Sequence, residues 1–84
     1  MLRVEEFEYE GFTVKLNADL ATHSVTRMVL KDSVLVHQDE ISFDRSLVAN
    51  YELMSVEEQA KILLAFASAG IKTWIEDGRL RSRD

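Results

Sequence analysis

Few residues in this 84-residue chain have the types and spacing to do chemistry. His37 and Asp39 are two apart, which on a strand places both on one face, with Glu40 beside them. A metal ion would need a third ligand, and His23 would have to supply it from a neighbouring strand. With two histidines and no cysteine, the pair reads as ordinary solvated strand residues, and no metal site is assigned. Asp19, His23 and Ser24 have the residue types of a hydrolase triad. Adjacent strand residues point to opposite faces, so His23 cannot activate Ser24 there. Glu5, Glu6, Glu8 and Glu10 are spaced carboxylates of the kind that can form an acid/base pair. Nothing near them promises the apolar pocket that would raise one pKa. Gly11, Gly70 and Gly78 are too far apart to build a phosphate loop. No catalytic, cofactor-binding or metal residue is therefore assigned, and the chain is expected not to be an enzyme.

The elements that carry these residues follow from periodicity. Ser55 to Asp77 is the longest periodic stretch, with Ser55 and Glu58 spaced as a capping box. At 100° per residue Val56, Ala60, Leu63, Leu64, Ala67, Ile71, Trp74 and Ile75 share one face, which predicts an amphipathic helix over about 55–77. Gly78 suits the residue that ends it. Upstream, Val4 to Tyr9 reads as a strand with Phe7 and Tyr9 on one face and Glu6, Glu8 and Glu10 on the other, joined in sequence by Glu5. Glu10-Gly11 fits a two-residue turn, and Phe12 to Leu20 alternates cleanly.

Val25 to Lys31 and Val34 to Gln38 form a second hairpin around Lys31-Asp32-Ser33. Their consecutive apolar residues, Met28-Val29-Leu30 and Val34-Leu35-Val36, suggest cover on both faces. Ile41 and Phe43 continue the strand past Glu40, through a bulge, and Asp44 is placed to cap a short helix over about 45–52 that turns Leu47, Val48 and Tyr51 inward. The expected fold is α+β: an antiparallel sheet of about four strands, two hairpins over about 3–43, packed on one long C-terminal helix, with a basic tail at 79–84. All of it forms one domain, 1–84.

Net charge is −5, from 10 basic and 15 acidic residues. Residues 1–44 hold four basic residues against nine acids, while residues 45–84 balance, so the excess acid belongs to the sheet half. Direct nucleic-acid binding, which needs clustered Lys or Arg, is disfavoured. No apolar run is long enough for a signal peptide or a membrane span, and the lack of cysteine suits a reducing compartment, so a cytoplasmic location is expected.

Two surfaces remain. Ile62, Phe66, Ala69 and Thr73 repeat at three- to four-residue spacing on the helix side away from the core stripe, where a helix covering one sheet should be polar. Either residues 39–53 fold over this side, with Phe43, Leu47 and Tyr51 as cover, or a second chain does. The leading expectation is a non-catalytic protein-interaction module, homodimeric through this stripe, with a regulatory or accessory role. The acidic strand residues Glu5, Glu6, Glu8 and Glu10 form the other surface, either an edge guarded against aggregation or a docking face. A small acidic sheet followed by a helix resembles the plan of several phage-encoded inhibitors, anti-CRISPR proteins among them. This resemblance lies in size, charge and element order. It implies, as the alternative, a nucleic-acid mimic that binds the basic groove of a nucleic-acid-processing protein.

Overall fold

A computed structural model of the protein describes residues 2–78. The basic tail expected at 79–84 lies outside them. Strands β1 (Leu2–Tyr9), β2 (Phe12–Asp19), β3 (Ser24–Lys31) and β4 (Val34–Ser42) form one antiparallel meander in the order β1-β2-β3-β4. Helix α1 (Val56–Glu76) packs on one face of it. The fold is α+β, as the periodicity predicts. The two expected hairpins are joined by a third, through Leu20–His23. In both expected turns the two loop residues have positive φ: Glu10 at 51° and Gly11 at 83°, Asp32 at 51° and Ser33 at 67°. That is the backbone a two-residue turn needs to match the twist of its strands.

Cross-strand partners share a face, so the register sorts the side chains into rows under the helix. One row runs Phe7, Val14, Val29, His37; the next Glu5, Leu16, Arg27, Asp39; the third Arg3, Ala18, Val25, Ile41. The central members Val14, Leu16, Ala18, Val25 and Val29 are almost fully buried against Leu63, Ala67 and Ile71. Each large aliphatic side chain so placed contributes about 1.5–3 kcal/mol. Between β3 and β4 the register shifts by one residue. Leu30 faces Leu35 but Val29 faces His37, which leaves Val36 as a bulge. The expected bulge therefore exists, but it lies before Gln38 rather than after Glu40.

The helix begins as expected, with Ser55 Oγ accepting from the Glu58 amide at 3.2 Å. The return contact differs from a capping box. Glu58 Oε1 accepts from the Ser55 hydroxyl, at 3.1 Å, instead of reaching the Ser55 amide. The helix ends at Glu76 with Asp77 as its C-cap, and Gly78 follows with φ 72°. Within the expected core stripe, Ala60, Leu63, Ala67, Ile71 and Ile75 are buried, Leu64 and Trp74 half-buried, and Val56 is exposed. Val56 lies in the first turn of the helix.

Two expectations are corrected. The segment after β4 is not one short helix over 45–52 but two single 3-10 turns, Arg45–Leu47 and Tyr51–Leu53. Asp44 caps the first, accepting from the Ser46 amide at 3.0 Å, and Asn50 breaks the path between them with φ 63°. Only Tyr51 turns fully inward; Val48 is half-buried and Leu47 is 65% exposed. The second correction concerns cover on both sheet faces. Among the described residues no second layer lies on the outer face, where Lys15 and Asn17 are exposed and Met28 and Leu30 half-buried.

Candidate functional site

Helix α1 lies over β1, β2 and β3, so the helix-side face of β4 is only partly covered. The gap is an open groove of about 540 Å³. One wall is the α1 flank of Phe66, Ala69, Thr73 and Trp74; the other is Ile41 and Ser42 of β4; Arg27 and Gly70 line it as well. Each end of the helical wall is fixed by an edge-to-face aromatic contact. Phe66 meets Phe43 at 5.4 Å between ring centroids, and Trp74 meets His37 at 5.2 Å.

Arg27 is the polar centre of this region. It is a strand residue between Val25 and Val29 and is only 5% exposed. Its Nε and Nη2 donate to the two oxygens of Asp39, its direct cross-strand partner, at 2.8 and 2.5 Å. Its guanidinium lies 4.8 Å from the centre of the Trp74 ring. Burying a charge is tolerable only with this kind of partner, since an unpaired one costs several kcal/mol. The Arg27 hydrogen bonds hold the Asp39 carboxyl below its ordinary pKa, and His37 adds to the effect. His37 Nε2 is buried 3.0 Å from Asp39 Oδ2, but is not aligned for a hydrogen bond. Gly70 makes the arrangement fit: a Cβ there would sit 3.2 Å from Arg27 Nη1.

The structure separates most of the residues that sequence reasoning grouped. Of the helix stripe, Phe66 is 46% exposed and Ala69 and Thr73 are exposed on the groove wall, whereas Ile62 is half-buried against the core. The two suggested kinds of cover both bear on the outcome. Phe43 does reach Phe66, and Tyr51 packs on Phe43, but Leu47 turns away and most of the flank stays open. The four glutamates do not share a face. Glu6 and Glu8 are on the outer face, Glu5 is in register with Leu16 on the helix side, and Glu10 is in the turn. Glu6 lies 3.7 Å from Lys15.

His37 and Asp39 do share a face, and Glu40 faces away. His23 sits elsewhere, with Nδ1 3.0 Å from the Tyr51 hydroxyl. Among the described residues no group of three His, Cys, Asp or Glu side chains is placed to hold a metal. Asp19, His23 and Ser24 each have other partners: the Ala21 amide, Tyr51, and the Thr22 hydroxyl at 2.6 Å.

Sequence reasoning missed Arg27. The signal was its parity with Val25 and Val29, which places it on the apolar face. Among the described residues no helix is long and apolar enough to cross a membrane. No protein-family model, curated protein or solved structure matches this chain.

Proposed function

We propose that this protein is a small non-catalytic interaction module that forms a homodimer through the groove face. Phe66, Ala69 and Thr73 are its contact residues, and Ile62 supports them from beneath. The observation that carries the reading is the half-exposed Phe66 on an open apolar wall beside an edge strand that the helix leaves uncovered. A large aromatic side chain in such a place is the usual anchor of an interface, and an edge strand offers unpaired backbone groups beside it.

Light scattering across a concentration series tests this directly. The expected mass is near twice 9.6 kDa. Phe66→Asp is expected to give a folded monomer with an unchanged circular dichroism spectrum. A wild-type monomer at every concentration would overturn the reading. So would an unfolded Phe66→Asp protein, because the ring would then be core rather than interface.

A further inference from the structure

We infer that the outer face of the sheet, opposite α1, is a docking surface for a basic amphipathic helix of a partner protein. This goes beyond the dimer reading, because it uses the other side of the sheet and both sides can be occupied at once.

Three observations carry it. First, β3 and β4 are apolar on both faces. Met28 and Leu30 alternate with the buried Val29, and Leu35 is the cross-strand partner of Leu30, so the three make one apolar patch on the outer face. Thr13 continues it onto β2 beside Leu30. Helix α1 covers the opposite side, and among the described residues nothing lies over this patch. Strands that are apolar on both faces are ordinarily covered on both.

Second, the charges of this face are nearly all of one sign. Glu6 and Glu8 on β1, Asp19 at the end of β2 and Glu40 on β4 set four carboxylates against one ammonium, Lys15, a net of −3. Lys15 already lies 3.7 Å from Glu6. Two copies stacked through this face would oppose like charges, and nucleic-acid phosphates would be repelled as well. Lys and Arg side chains are what such a rim complements.

Third, the dimensions suit a helix. β1 and β4 are three strand spacings apart, about 14 Å, which puts Glu6 and Glu8 at one margin of the face and Glu40 at the other. A helix with its side chains is about 10–12 Å across. Laid along the strands, it sets an apolar stripe over Met28, Leu30 and Leu35, with its basic residues reaching both margins. An eight-residue strand runs about 27 Å, the length of about 18 helical residues.

The probe is a fluorescently labelled 18-residue peptide of leucine and lysine, with leucines at three- and four-residue spacing so that one stripe is apolar; the length is about that of the strands. In an anisotropy titration it is expected to bind saturably, about tenfold more tightly than a scrambled peptide of the same composition. Its circular dichroism should become helical on binding. A version with glutamate in place of every lysine should not bind.

Leu35→Lys removes an exposed part of the patch and should weaken binding about tenfold. Glu40→Lys, at the margin, should weaken it about threefold. Phe66→Asp, in the groove on the other side, should leave it unchanged, so this inference and the dimer reading fail separately. Equal binding of the scrambled or glutamate peptide would overturn the inference. So would full affinity in Leu35→Lys, or loss of binding in Phe66→Asp, which would place the peptide in the groove. A wild-type dimer that Leu35→Lys dissociates would give this face to a second copy, and the partner helix would fall.

Discussion

The two edges of the sheet are held in opposite ways. β1 is tied to the helix along its whole length by exposed polar contacts. Arg3 donates to Glu57 at the start of α1, Tyr9 donates to Glu76 at its end, and Lys72 lies 5.2 and 5.4 Å from the Phe7 and Tyr9 ring centres. The strand also carries Glu5, Glu6 and Glu8, charges that discourage another chain from adding to this edge. Among the described residues β4 has no ion pair or hydrogen bond to the helix, only the ring contact of His37 with Trp74. It is anchored from within by the buried Arg27–Asp39 pair, and beyond that its helix-side face opens into the groove. Weak surface contacts tie the helix to one edge, while the buried Arg27–Asp39 pair and the His37–Trp74 contact hold the other. The groove lies along the edge that the helix leaves partly uncovered.

The sharpest way to break this contrast is to remove one anchor from each side. Asp39→Ala leaves a buried guanidinium unpaired and is expected to cost about 3 kcal/mol or more in urea denaturation. Glu57→Gln, at the exposed tie on β1, should leave the urea midpoint nearly unchanged, because exposed ion pairs are screened. A smaller Asp39 effect than Glu57 effect would reverse the assignment of strong and weak edges.

Acidification gives a weaker form of the same test. The Asp39 carboxyl is held below its unfolded value of about 3.9, so its contribution is complete above that pH and is lost as the pH falls through the folded value. Stability of the parent protein should therefore decline below about pH 4. Asp39→Asn, compared over the same range by thermal melts, should show a shallower decline. Asp44 and Glu57 are depressed too and act in the same direction, but both are exposed, so Asp39 should dominate the difference.

Gly70→Ala has the smallest expected effect. Helix propensity favours alanine by about 1 kcal/mol, and the new methyl must push Arg27 Nη1 aside by a few tenths of an ångström. The two should nearly cancel in a melting curve. A loss as large as that of Asp39→Ala would show that the guanidinium cannot move at all.

The local features were legible because each depends on residues close in sequence. Ser55 with Glu58 and then Gly78 mark the ends of α1, the alternation from Phe12 gives the buried face of β2, and Glu10-Gly11 gives the first turn. The segment at 45–52 was less legible. Asp44 caps the turn as read, but the helical reading needed Leu47 inside, and the left-handed Asn50 breaks the path before that can happen. The site was read only from one side. The spacing of Phe66, Ala69 and Thr73 shows an apolar flank, but not that Ile41 and Ser42 face it. The parity of Arg27 with Val25 and Val29 puts it on the apolar face, but its partner Asp39 is not seen until β4 is aligned with β3, and that alignment depends on a one-residue shift that no local pattern announces.

That shift makes Val36 the most consequential residue that touches none of the groove's chemistry. Counted from the Asp32-Ser33 turn without interruption, Arg27 would fall opposite Gln38, and Asp39 would point to the open side of the sheet. The extra residue works as a frameshift in three dimensions. It brings His37, Asp39 and Ile41 beneath the helix in place of Val36, Gln38 and Glu40. Losing Val36 itself would straighten the strand and leave Arg27 opposite Asp39, whereas closing the bulge with Val36 kept in the ladder would bury a guanidinium against an amide and carry the carboxylate on the outside. The arginine therefore depends on Val36 staying out of the ladder, not on the length of the 34–38 stretch.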